Sequence, residues 1–168
     1  RTYISDDVTY IENDINNIDW KDFFDQYPEH SPDTTLLFLD DHVDLSKRYQ
    51  LIRDIGFKYI IDEDNYPPEQ GCRITAKTIL EGEECLISEG NGRERLIKID
   101  DKMREEYHSI IKNYWEFPPV YLPSKTRWGD DFSNYKSKKP LFDSITEEIE
   151  EFGNYENYTW MCLLETNV

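Results

Sequence analysis

Two short runs hold the residues that could do chemistry. In "FLDDHVD", Asp40, Asp41, His42 and Asp44 follow directly on an apolar stretch. In "YIIDEDNYPP", Asp62, Glu63 and Asp64 do the same. Bare carboxylates at close range repel one another, so such a cluster either takes up protons or gathers around a cation. Oxygen donors without a partnering cysteine suit Mg²⁺, Mn²⁺ or Ca²⁺ better than zinc. His42, beside the acids, could accept a proton or orient a metal ligand. Asn65 and Tyr66 come next and could contact the metal or a substrate. Further on, "PSKTRWGDD" brings Arg127 and Trp128 together, where a sugar or flat ring could stack on the indole while the guanidinium holds a polar group. Each feature has a plainer account. Asp41 or Asp44 could cap a helix starting near Leu45, Asn65–Pro68 could be a rigid turn, and Trp128 could anchor a surface loop. In a chain with 36 acids, clusters also arise by chance.

The two runs meet only if the intervening elements fold them together. "TTLLFLDD" reads as a strand buried on both faces. In "DLSKRYQLIRDIGF", Leu45, Tyr49, Ile52 and Ile55 share one helical face and Gly56 suits a C-terminal cap. "KYIID" reads as a second strand, stopped by Pro67-Pro68. Strand, helix, strand implies two parallel strands, and in an open parallel sheet ligands bind at the carboxyl ends. The remaining expectations are short β-like runs at Tyr3-Ile4 and Val8–Ile11, a short helix before Pro28, and helix over 74–80. A flexible "SEGNGRE" loop follows, then an amphipathic helix carrying Met103, Tyr107, Ile110, Ile111 and Tyr114. A long aromatic loop spanning 116–140 reads as a lid or substrate loop. A helix with Ser144 and Glu147 as a capping box and a final strand in "YTWMCLLETN" close the chain.

The 168 residues fit one domain. A formal charge of −17 argues against nucleic acid and against an anionic membrane surface, both of which call for Lys and Arg. It favours cations. Cys72, Cys85 and Cys162 are too widely spaced for a metal motif and read as reduced thiols, and no run is apolar enough for a signal or a span. A soluble cytoplasmic protein is expected.

"LLFLDDH", a helix, then "YIIDEDNYPP" resembles the second half of the class I S-adenosylmethionine-dependent methyltransferase fold. It is most similar to macrocin-type sugar O-methyltransferases and cephalosporin-hydroxylase-like proteins, and to a group carrying DDH and EDNYPP runs at similar spacing. "DINNIDW" and "KTRWGD" are similar too, so the resemblance runs from about Tyr3 to about Asp130. It implies a Rossmann-like α/β three-layer sandwich with a mostly parallel sheet, and transfer of a methyl group to a hydroxyl of a sugar, glycan or small molecule. It implies S-adenosylmethionine and Mg²⁺ or Mn²⁺ as cofactors, with Asp40, Asp41, Glu63 and Asp64 as metal positions. Asp40 or His42 would be the base and Asp14 would contact the adenine. The family's Gly-rich cofactor loop is missing: no GxG precedes residue 71, and the chain opens at what resembles the third strand. The expectation is that the loop lies upstream of Arg1 in a longer protein; the alternative is a degenerate relative. Two other classes compete. One is a metal-dependent hydrolase or hydroxylase on the same edge, although non-haem iron usually needs two His and only His42 is near. The other is a non-catalytic interaction module.

Overall fold

A computed structural model describes residues 8–68, 73–90, 92–118, 139–144 and 160–168. The first helix, α1 (Trp20–Gln26), starts where Asp19 accepts a hydrogen bond from the Asp22 amide at 2.9 Å. Its Trp20 meets Phe57 edge-on at 5.0 Å, tying the helix to the start of the second strand. Strand β1 (Leu36–Leu39) leads through a 3-10 turn (Leu45–Arg48) into α2 (Tyr49–Ile55). Gly56 ends α2 in the left-handed region, φ 82°, which a residue without Cβ adopts at little cost. Strand β2 (Tyr59–Asp62) follows and pairs parallel with β1, Leu39 opposite Asp62. The strand–helix–strand unit expected from the sequence is therefore present.

Helix α3 (Ala76–Glu81), capped by Thr75, precedes an antiparallel hairpin of β3 (Glu84–Gly90) and β4 (Arg93–Lys98). Helix α4 (Asp101–Ile110) runs straight into β5 (Ile111–Glu116), and β6 (Cys162–Thr166) completes the set. The main sheet has the order β1-β2-β6-β5. β6 is antiparallel to both neighbours, so β1, β2 and β5 point one way and β6 the other.

The fold is mixed α/β with a mixed sheet, and two of its three pairings are antiparallel. A mostly parallel sheet was expected; the reversed β6 changes the pairing. One face carries Leu37, Leu39, Ile60 and Leu164, packed with Tyr49, Ile52, Ile79, Tyr107 and Ile110 from the helices in a single core. The other face leaves Leu36 and Phe38 about half exposed, and Trp115 exposed. β1 is thus buried on one face rather than two, and among the described residues the helices form one layer against the sheet.

Three local expectations change as well. Residues 8–11 form no strand; they lie exposed. The expected loop "SEGNGRE" falls within the β3–β4 hairpin, turned at Gly92 with φ 71°. The expected helix through Tyr114 stops at Ile110, because Ile111, Tyr114 and Trp115 pair with β6 instead; β-branched and aromatic residues suit either state, and the partner strand decides. The expected Tyr3-Ile4 run and the Ser144–Glu147 capping box fall outside the described residues. No helix among those described is long and apolar enough to cross a membrane. Cys85 and Cys162 are free and buried; burial pushes both thiols up, so neither is a ready nucleophile.

Candidate functional site

Because β1 and β2 are adjacent and codirectional, Asp40-Asp41 and Glu63-Asp64 leave the sheet at the same edge. The Glu63 amide donates to Leu39 O at 3.0 Å, carrying the pairing one residue past the strands. The acids do not converge bare. Asp41 accepts from the Val43 amide at 3.0 Å and pairs with Arg48 Nη2. Asp62 is fully buried and takes Arg73 Nη2 on Oδ1 at 2.8 Å. Asp64 faces His42 Nδ1 at 3.0 Å. Asp40 is exposed, and among the described residues its carboxylate has no hydrogen bond or ion pair. Asp44 does not cap the following turn through its side chain; it accepts from the Ile74 amide at 2.8 Å.

The reading from sequence allowed two remedies for crowded carboxylates, protonation or a bound cation. The fold supplies a third: Arg48 and Arg73, each about 2% exposed. Nothing in the sequence marks either as a partner of these acids. Arg48 stands seven residues after Asp41, a spacing that the 3-10 turn and helix start can close. Nothing local links Arg73 to Asp62. Burial pushes the Asp62 carboxyl up to about 6, against the opposing pull of Arg73, with Asp41 and Asp64 adding to the rise. Burial works against the Arg73 cation, but Asp62, with Asp64 and Asp41, outweighs it and raises it overall. Asp62 Oδ2, Arg73 Nε and Arg48 Nε are buried with no hydrogen-bond partner among the described residues.

His42 and Asp64 have left-handed backbones, φ 53° and 56°. His and Asp are among the residues that tolerate this region best, yet it is uncommon for them. Two such residues, one past each strand, meet through their side chains.

A cavity of about 370 Å³ opens beside β1, lined by Asp14, Ile15, Phe38, Asp40, Asp41 and Arg48 among others. Asp14 caps a 3-10 turn (Ile15–Asn17) by accepting from the Asn16 amide at 2.8 Å, and its Oδ1 lies 3.6 Å from Arg48 Nη1. The structure therefore brings Asp14 to the same cavity as Asp40 and Asp41. Asn65 is fully buried. Its Oδ1 accepts from the Lys77 amide at 2.9 Å and its Nδ2 donates to Tyr114 Oη at 3.0 Å. This corrects the expectation of a substrate or metal contact: the amide is spent inside the protein. Tyr66 is half-buried, and its carbonyl accepts from Thr75 Oγ1 at 2.8 Å. Arg127, Trp128 and most of the expected lid (116–140) lie outside the described residues.

Asn65 belongs to a second polar cluster. Lys77 Nζ reaches Glu116 Oε2 at 2.5 Å, both nearly buried, and stands 5.3 Å from the centre of the Trp160 ring. Tyr114 Oη also donates to Glu116, at 3.2 Å.

Among the described residues no three His, Cys, Asp or Glu side chains group as a metal site. Asp40 is the strand-end carboxylate without a partner among the described residues, and the acids after β2 lie across from it. They suit an ion that keeps several waters and takes one or two carboxylates, as Mg²⁺ does, rather than a caged one. No family model matches this sequence, and neither a curated protein nor a solved structure matches it.

Proposed function

We propose that this chain carries the catalytic edge of a metal-dependent, S-adenosylmethionine-dependent O-methyltransferase acting on a sugar, glycan or small hydroxylated molecule. The observation that carries the reading is the pairing of β1 with β2, in register, with acids leaving both carboxyl ends and Asp40 uncommitted among them. The cavity that joins Asp40 to Asp14 supports it, with Phe38 and Ile15 as an apolar wall for a flat ring. Three codirectional strands with a reversed one between two of them are compatible with the C-terminal part of a Rossmann-like sheet. Two free, buried cysteines fit a cytoplasmic setting.

Asp40 is the first choice for metal ligand, with Asp64 and Glu63 across the strand gap. A bound Mg²⁺ or Mn²⁺ would make a substrate hydroxyl more acidic, and S-adenosylmethionine would supply the methyl group. The chain's own residues would orient that hydroxyl and take its proton, at the Asp40 carboxylate or at His42, which Asp64 holds in place. Arg48 and Arg73 pair with the neighbouring acids Asp41 and Asp62, leaving Asp40 the carboxylate without a partner among the described residues.

The test is a thermal shift of the full-length protein with S-adenosylhomocysteine and with Mg²⁺ or Mn²⁺. A ligand at a hundred times its Kd adds about 2.7 kcal/mol of stability, a readable rise in Tm. If neither ligand moves Tm, the proposal fails. A second reading, an interaction module, draws on Arg48 and Arg73, which already neutralise Asp41 and Asp62 from within. Under that reading Asp40→Asn leaves every activity and affinity of the protein intact; under the first it removes the metal's contribution to Tm.

A further inference from the structure

We infer that Arg73 is the positioning residue of this edge, the clasp that fixes how far apart the loops after β1 and β2 stand. The clasp itself stands on geometry; what it positions rests on the reading proposed above.

Arg73 Nη1 donates to Val43 O at 2.8 Å, in the loop after β1. Its Nη2 donates to Asp62 Oδ1 at 2.8 Å and to Glu63 O, at the end of β2 and just past it. The next residues continue the seam. The Ile74 amide donates to Asp44 Oδ1 at 2.8 Å and Ile74 O accepts from the Leu45 amide at 3.0 Å. Thr75 Oγ1 donates to Tyr66 O at 2.8 Å. One stretch, residues 73–75, thus bonds 43, 44 and 45 on one side and 62, 63 and 66 on the other.

The β1–β2 ladder ends at Leu39 and Asp62, with one further bond from Glu63. Beyond it the loops carry His42 and Asp64 in left-handed backbones, which hold only where the surroundings over-determine them. The planar guanidinium suits this task. Its two terminal nitrogens point apart in a fixed fork, so one side chain reaches an acceptor in each loop, while a lysine offers its donors from a single point. Arg73 therefore sets the approach of His42 to Asp64, and of Asp40 to the acids across from it.

Hydrogen exchange read by mass spectrometry tests the clasp on four proteins: wild type, Arg73→Lys, Asp62→Asn and Ile110→Val. Arg73→Lys keeps the charge beside Asp62 and loses the fork. Peptides covering 41–46 and 62–66 should exchange at least tenfold faster in it, with the β3–β4 hairpin unchanged. Ile110→Val, a core truncation away from the loops, should not single out those peptides. Asp62→Asn leaves the bonds to Val43 and Glu63 and should keep both loops near the wild-type rate. Wild-type exchange in Arg73→Lys overturns the inference. So does equal loosening in Asp62→Asn, because the ion pair rather than the fork would then be holding the loops. Mn²⁺ binding followed by electron paramagnetic resonance reads the consequence: Arg73→Lys should weaken it at least tenfold and Asp62→Asn less. If wild type binds no Mn²⁺, the metal reading falls and the clasp is judged on exchange alone.

Discussion

At the β5 end of the sheet edge, Glu116 is buried against Lys77, with Tyr114 bonded to the same oxygen and the Trp160 ring beside the ammonium. At the β1 end, Asp40 stands exposed, while Asp41 is held by Arg48 and the Val43 amide and Asp64 by His42. Between them one rung of the sheet runs Leu39, Asp62, Cys162, Glu116. The two acids on that rung take their cations from the same stretch, Arg73 and Lys77. The β5 end is a structural network closed to solvent, with its polar groups mostly spent on each other. The β1 end keeps a carboxylate in reserve next to a cavity. Acidic composition alone would not separate these roles; exposure and partner count do.

The comparison breaks most visibly at Lys77. Removing one partner of a buried ion pair costs about 3–5 kcal/mol, because the other charge is stranded. Lys77→Met should therefore lower the urea midpoint strongly, and a loss under about 1 kcal/mol would mean that the network is not closed. Asp62 gives a middle-sized effect with a definite sign. Its folded-state carboxyl is raised to about 6 from 3.8, so between about pH 4 and pH 6 the unfolded chain gives up its proton first. Stability contributed by this group is present below pH 4 and falls as pH rises through that window, by about 3 kcal/mol at most. The stability of wild type minus that of Asp62→Asn should fall from pH 4 to pH 6; a flat or rising difference would show that Arg73 outweighs burial. Asp40 sharpens the contrast by doing little. Asp40→Asn should change stability by no more than about 0.5 kcal/mol, since the carboxylate has no bond to lose among the described residues, while under the proposed reading any methyl transfer and any Mn²⁺ or Mg²⁺ shift in Tm should disappear.

Much of the β1–α2–β2 unit was legible because its signals are local: an apolar run, a helical stripe from Leu45 to Ile55, and Gly56 as its stop. The acids at the strand ends were legible for the same reason. The arginines that pair with them were not, because an Arg in a charged chain looks like any surface residue until the fold buries it. Asn65 misled for a related reason. Beside a carboxylate run it looks like a ligand, and only the approach of Tyr114, 49 residues away, shows that its amide is used internally. The α4–β5 boundary failed at Ile110-Ile111, where threes-and-fours spacing continues into residues whose strand partner lies far along the chain.

The reversed strand has a consequence for how the molecule is made. Thr166 Oγ1 donates to Phe57 O, a contact across 109 residues, and β6 is what joins β2 to β5. At roughly 5–20 residues per second of synthesis, the first two strands wait several seconds for the piece that completes their sheet. A half-sheet exposed during that wait would carry the strand-end carboxylates, and like charge disfavours pairing between such half-built edges. The acids at the strand ends would then serve first as a solubility tag on an incomplete sheet, whatever they do in the finished protein.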